Sequence, residues 1–170
     1  MLQKIIDLTK NTTIQITEDT EVLGLFIGKN KQQVNASLKI IHKKPNLKSF
    51  TLIKGVLFDQ SQLNLNGDLI INKGAFLTDA YLKMEVLLMS KNAKAKAIPS
   101  LEITENNVKG GHGATIGQID HEQLFYLKSR GLNKQQAEKL LVAGFVADLF
   151  ARVKDAKIKS QLSRNYYLDA

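Results

Sequence analysis

The apolar period of this chain changes once, and the change falls between Val108 and Leu132, in VKGGHGATIGQIDHEQLFYLKSRGL. Before it, apolar residues tend to recur at every second position, as on a strand with one buried face. After it they recur at every third or fourth, as on a helix. The turning point is a glycine-broken strand segment holding Gly110, Gly111, Gly113 and Gly117, with His112 among them. These glycines are expected to take positive φ or to let another chain approach closely. Asp120 then stands three residues before Gln123, the spacing of a capping box, and Gly131 is placed to end the helix as its C′ residue.

Upstream, the strand candidates are Thr13 to Thr17, Glu21 to Ile27, Val34 to His42, Phe50 to Phe58, Gln62 to Ile71, Tyr81 to Ser90 and Ile98 to Thr104. Leu63 and Leu65 alternate with Asn64 and Asn66, as do Leu69 and Ile71 with their neighbours. Asn66-Gly67, Lys73-Gly74 and Lys44-Pro45-Asn46 supply turn residues. Leu2, Ile5, Ile6 and Leu8 suggest a short apolar turn or helix covering the open end of the strand-rich body. Pattern alone gives an all-β body of about seven short strands, for which a sandwich or barrel is the default. No repeat of fixed length is visible.

The C-terminal quarter reads as helix. Asn133 with Gln136 repeats the capping-box spacing, and Ala137, Leu140, Leu141, Gly144 and Phe145 form one apolar face. Val142, Ala143, Val146, Ala147, Leu149, Phe150 and Val153 extend the apolar surface nearly around the cylinder, interrupted by Asp148 and Arg152. Burying one face leaves a second stripe, read here as a partner surface. The tail after Ala156 turns polar and is expected to fray.

The net charge of +8 invites a nucleic-acid reading. From Val22 to Phe58 there is no acid, while Lys29, Lys31, Lys39, Lys43, Lys44, Lys48 and Lys54 all fall within it. Such a segment is either a phosphate-contacting face or a rim of solvated lysines guarding strand edges. Only Phe26 and Phe50 interleave with them, which is no platform for stacking bases. No apolar run approaches the ~18 residues that span a bilayer, and Met1 to Lys10 lacks a signal-peptide pattern, so a cytoplasmic protein is expected.

Catalytic signatures fail on spacing. Gly24-Leu25-Phe26-Ile27-Gly28-Lys29-Asn30 is one residue short of a phosphate-binding loop and ends in asparagine. Gly111, Gly113 and Gly117 do not make GxGxxG, and there is no GxSxG elbow. The chain has no cysteine, which removes disulfides, thiol nucleophiles and thiolate ligands together. Metal ligands would have to come from His42, His112, His121 and carboxylates such as Glu102 and Glu105, at no standard spacing. His42 reads as an exposed strand end and His121 as a surface or capping residue. His112, framed by glycine, can present its imidazole to solvent or to another subunit.

The Val108 to Leu132 run closely resembles the C-terminal core of SufD, and more loosely SufB, the paired scaffolds of Suf iron–sulfur cluster assembly. The likeness continues through Gly67 to Ile71, Thr78 to Ser90 and Pro99 to Val108 (PSLEITENNV), covering roughly Thr51 to Phe145, whereas the first fifty residues match in style only. The resemblance implies a mainly β chain with C-terminal helices: a right-handed parallel β-helix over residues 1–119 followed by a small helical subdomain over 120–170. Family members carry an N-terminal helical region and a longer β-helix, so it also implies a minimal version.

The resemblance implies a function as well: a non-catalytic scaffold subunit that binds no nucleotide. Pairing would occur through the β-helix, with a second SufB/SufD-type subunit or with itself, and a SufC-type ABC ATPase would dock on the C-terminal helices. Phe125, Arg130, Gly131, Phe145, Leu149 and Phe150 fall in that ATPase-facing region. His112 matches the family's HGAT histidine, which helps build a transient iron–sulfur cluster shared with the partner subunit; otherwise it packs at the dimer seam. Where the SufD pattern has Lys-Cys-Ser-His, this chain has Lys109-Gly110-Gly111-His112. A purely structural dimerisation subunit without cluster contact, or a basic nucleic-acid-binding module, is the alternative.

Overall fold

A computed structural model describes residues 1–165. Nine strands come first: β1 Leu2–Ile6, β2 Thr12–Ile16, β3 Thr20–Gly28, β4 Gln33–His42, β5 Lys48–Leu57, β6 Gln62–Ile71, β7 Asp79–Leu88, β8 Lys94–Ile103 and β9 Lys109–Gln118. Three helices follow: α1 His121–Ser129, α2 Lys134–Arg152 and α3 Ala156–Asn165. Successive strands alternate between two sheets, ordered β1-β3-β5-β7-β9 and β2-β4-β6-β8, and all neighbours pair in parallel. This is a parallel β-helix rather than a sandwich or barrel of hairpins. The N-terminal apolar segment is its first strand, not a turn or helix laid across the end: Leu2 to Ile6 pair with Thr20 to Gly24.

Irregular coils explain the missing repeat. Thr20 lies beside Ser49, 29 residues on, whereas Lys48 lies beside Asp79, 31 on, and Gln62 beside Lys94, 32 on. The differences are absorbed at the corners, where Asn30, Asn46 and Asp59 adopt left-handed backbone that short polar side chains tolerate. The corners are themselves stacked by backbone hydrogen bonds, Gln60 N to Asn30 O at 2.9 Å and Asn46 N to Phe76 O at 2.9 Å.

Between the sheets, the inward positions form ladders: Leu38, Ile40, Leu63, Leu65, Leu69, Ile71, Leu82 and Met84 are buried there. His42 belongs to this interior. It lies in register between Ile16 and Ile71, is fully buried, and shares a 2.8 Å hydrogen bond between Nε2 and Ser49 Oγ. The exposed strand end expected from the following lysines is therefore wrong, because the strand's inward alternation runs through its last residue. Burial lowers the imidazole pKa from 6.5 to about 4.

The outer face of the five-stranded sheet is covered by α2. Val142, Val146, Leu149 and Val153 sink onto Leu23, Leu25, Leu52 and Val56, each large side chain contributing roughly 1.5 to 3 kcal/mol. Of the two stripes on this helix, the one centred on Val142 and Val146 is buried, while Leu140 and Gly144 of the other face solvent. Lys54 explains part of the choice. Its side chain is buried under α2, where Nζ lies 2.8 Å from Glu85, 2.8 Å from Asp148 and 2.7 Å from the Phe145 carbonyl, and 4.4 Å from the centre of the Phe145 ring. Burial would raise the Glu85 and Asp148 carboxyls, but ion pairing to Lys54 outweighs it and holds both below their usual values. Lys54 is thus no solvated lysine. Nor do the other lysines of residues 22–58 guard edges, since β3, β4 and β5 are interior strands.

Helix boundaries follow the sequence signals. Asp120 caps α1 by accepting from Glu122 N and Gln123 N, the Asn133–Gln136 capping box opens α2, and Gly131 takes φ +98° just after the Arg130 cap. The polar tail is helical from Ala156 to Asn165 rather than frayed; residues 166–170 of that tail, and of the expected 120–170 segment, lie outside the described residues.

Two outcomes test this packing. Because the His42 pKa is depressed by folding, its stabilisation is present above pH 6.5 and is lost as pH falls toward about 4. The loss should amount to roughly 3 kcal/mol in urea titrations, and the His42→Gln chain should lack this part of the slope. Lys54→Met should lower stability by about 2 to 3 kcal/mol, less than for a fully buried pair because Asp148 is half-exposed, and should speed amide exchange along α2.

Candidate functional site

The solenoid ends on β8 and β9, each the last strand of its sheet. Inward positions here have no further coil above them. On β8 the row continuing Leu69 and Ile71 is Leu101 and Ile103, 37% and 39% exposed; on β9 the row continuing Leu82 and Val86 is His112 and Ile116, the latter 42% exposed. An interior row of a solenoid is thus open at this end, beside two strand edges whose backbone groups meet no other strand among the described residues. His112 lies in that row, exposed, at the place where Val22, Thr51 and Leu82 occupy the coils below.

The glycines around it have a different reason from the one expected. Gly110, Gly111 and Gly113 are strand residues, not a flexible loop, and their φ values are not positive. What sets these positions apart is crowding by neighbouring side chains, which would have to shift to admit a Cβ. A Cβ on Gly110 would lie 2.7 Å from Ile103 Cδ1, one on Gly111 2.8 Å from the Tyr81 ring, and one on Gly113 3.1 Å from the Tyr81 hydroxyl. Tyr81 lies over β9 on the outer face and stacks at 6.3 Å with Phe50, whose ring carries the Arg152 guanidinium at 4.4 Å. Arg152 also pairs with Glu21 at 2.8 Å. A continuous contact therefore runs from the end of α2 through Arg152, Phe50 and Tyr81 to Gly111, next to His112.

The helical end offers a second surface. Phe125 and Tyr126 of α1 are 74% and 60% exposed, and Leu140 of α2 is 51% exposed. Tyr126, Leu140 and Leu141 line a groove of about 470 Å³ between the two helices. Arg130 and Gly131 lie at the α1 terminus beside it, with the Arg130 guanidinium 6.0 Å from the Tyr126 ring centre. Leu149, expected on this partner surface, is buried against the sheet, and Phe145 and Phe150 are half-buried in the same cluster. The exposed apolar surface is accordingly on α1 and the Leu140 edge of α2. By sequence, Tyr81 and Tyr126 have no site role and Leu140 is only part of an apolar helix face. Lys54 was counted only as a surface charge, although a lone charge inside the apolar run Thr51 to Leu57 is a signal of a buried partner.

The remaining candidate ligands do not gather. His42 is in the interior, His121 begins α1 in solvent, and Glu105 accepts from the Gly74 and Asn106 amides at 2.9 Å each. Among the described residues no three His, Cys, Asp or Glu side chains are grouped to hold a metal ion. No helix among them is long and apolar enough to cross a membrane. The lysines of residues 22–58 are likewise dispersed: Lys54 is buried, Lys39 pairs with Asp68 at 3.6 Å, and Lys43 and Lys44 lie at the opposite corner from Lys29 and Lys31.

Comparison with known proteins agrees with this architecture. The family described as SUF system FeS cluster assembly, SufBD core domain, matches residues 9–145, beginning well before the Thr51 at which the sequence likeness was read. The chain is 33% identical to the iron–sulfur cluster assembly protein SufD of Escherichia coli K12 over 158 residues, which are 91% of this chain and 37% of that protein. It is 33% identical to SufD of Bacillus subtilis over 157 residues, 91% of this chain and 36% of that protein. An iron–sulfur cluster assembly SufBD family protein of Mycobacterium bovis shares 33% over 153 residues, 85% of this chain and 38% of that protein. The chain thus spans well under half the length of these relatives. A parallel solenoid ending in an open coil, with the helical segment packed on its outer face and the family match running through both, makes this chain a member of the SufBD family of the Suf iron–sulfur cluster assembly system.

Proposed function

We propose that this chain is a non-catalytic scaffold subunit of a Suf-type assembly complex. In this reading it pairs through the β8 and β9 end with a second SufB/SufD-type subunit or with itself, and docks a SufC-type ABC ATPase on its C-terminal helices. The observation that carries the pairing is the open coil. Leu101, Ile103 and Ile116 extend interior rows into solvent, and two parallel strand edges beside them can accept strands from a second solenoid, covering the apolar row and satisfying edge backbone groups together. The exposed Phe125, Tyr126 and Leu140 support the helical docking face, with aromatic side chains of the kind that anchor interfaces.

His112 would stand at the seam, where a neutral imidazole is a borderline ligand for iron. The cluster is cargo in this scheme. With no cysteine in this chain, the thiolates must come from the partner subunit, and His112 supplies a single nitrogen. The Arg152–Phe50–Tyr81–Gly111 contact gives movement of the helices a physical route to the strand carrying His112. The lack of cysteine also favours a second reading, a dimerisation subunit that never touches the cluster.

The test is reconstitution with the SufC-type ATPase and SufB-type protein of the same cell, read by co-elution, ATP hydrolysis and iron content. Ile103→Asp with Ile116→Asp should abolish subunit pairing while ATPase binding persists. Phe125→Asp with Tyr126→Asp should weaken ATPase binding roughly thirtyfold or more while pairing persists. No binding of either protein, and no change in hydrolysis, would sink the scaffold reading. His112→Ala should lower the iron retained by the assembled pair; unchanged iron selects the structural subunit instead.

A further inference from the structure

At the corner where β8 begins, three lysines line a depression that belongs to neither the exposed apolar end row nor the helical docking face. The corners joining β3 to β4, β5 to β6 and β7 to β8 stack above one another and border an open surface depression of about 380 Å³, lined by Lys31, Lys91 and Lys94 together with the amides Gln33, Gln60, Gln62 and Asn92. The walls come from successive coils, with Gln33, Gln62 and Lys94 in register across β4, β6 and β8. Their backbone is fixed in place by Gln60 N to Asn30 O at 2.9 Å, Gln62 N to Gln32 O at 2.8 Å and Lys94 N to Ser61 O at 3.0 Å, and by fully buried Ser61. The exposed lysine side chains themselves are ordered only when a ligand is bound, which costs part of the affinity.

The charges are unbalanced. No carboxylate lines the cleft, and among the described residues Lys31, Lys91 and Lys94 form no ion pair. Other exposed lysines of the β body do, as with Lys39 to Asp68 at 3.6 Å and Lys83 to Glu85 at 2.8 Å. The nearby Asp59 instead accepts the Asn30 amide on Oδ2 at 2.8 Å. Three like charges held around a concavity repel one another and focus a positive potential into it, so a multivalent anion relieves the repulsion and gains by the field.

We infer that this cleft binds a small ligand carrying two or more phosphoryl groups. Ammonium groups from different coils can each meet a separate phosphoryl oxygen, and glutamine and asparagine amides add donors between them. A nucleic-acid strand fits worse. No aromatic side chain lines the cleft for a base to stack on, and the same outer sheet face carries Asp68 and Glu102 farther along the strands, against a backbone continuing that way.

The experiment uses the full chain by itself, so its failure leaves the scaffold reading untouched, and failure of that reading leaves this one standing. Titration calorimetry with inorganic triphosphate in about 50 mM salt should give saturable one-to-one binding that weakens as salt rises. Lys91→Gln with Lys94→Gln should weaken it roughly tenfold or more, while Lys43→Gln with Lys44→Gln at the opposite corner should leave it unchanged. Thermal unfolding of each free variant should match the parent, which separates lost binding from lost fold. A nucleoside triphosphate and inorganic triphosphate binding alike would show that phosphoryl groups alone are read; tighter binding of the nucleoside form would place the ligand among phosphate esters. Absence of saturable binding, equal loss in both double variants, or binding of single-stranded RNA without triphosphate binding would overturn the inference.

Discussion

A parallel coil buries its inward side chains only against the coils on either side, and this single constraint shapes the whole molecule. Rows such as Val22, Thr51 and Leu82 are covered because each coil stacks on the next in strict register. At β8 and β9 the stacking stops while the pattern continues, so apolar side chains and strand edges emerge together. Among the described residues no segment covers this end coil. The exposed apolar row is therefore built by the same rule that builds the core.

The polar groups inside the packing fix its geometry more than they add to its stability. Lys54 ties β5 to α2 through Asp148 and the Phe145 carbonyl, and to β7 through Glu85. An apolar contact tolerates a helix sliding along a sheet, whereas a buried ammonium with three oxygen partners does not. Arg152, paired with Glu21 and lying over Phe50, fixes the C-terminal end of α2, one turn beyond the Lys54 contacts. The helix is held at two points over the row that ends at Gly111, which gives the helical face and the strand end a common frame. Corner stacking plays the same part for the lysine-lined cleft, whose members are far apart in sequence and meet because coils advance by nearly equal steps.

Much of this was legible beforehand, for physical reasons. Alternation in Leu63, Leu65, Leu69 and Ile71 marks a half-buried strand wherever it occurs, and Asp120, Gly131 and the Asn133–Gln136 pair act within one helical turn. The β-helix itself came from the resemblance, because alternation is the same in a sandwich and unequal coil lengths hide the repeat. His42 and Lys54 misled for a related reason: a histidine before two lysines and a lysine in a basic segment look solvated until the register shows which neighbours cover them. The two stripes of α2 were visible, but not which of them would be buried.

The chain's own order of residues determined where strands give way to helices and where helices begin and end. Those are properties of neighbouring residues, set by local sterics and hydrogen bonding. Tertiary structure decided that Gly110 and Gly111 exist to admit Ile103 and Tyr81, that Leu149 is buried while Phe125 is exposed, and that three lysines share one cleft. Each of these depends on contacts between residues separated in sequence, and only the stacking register of the coils and the docking of α2 bring such residues together.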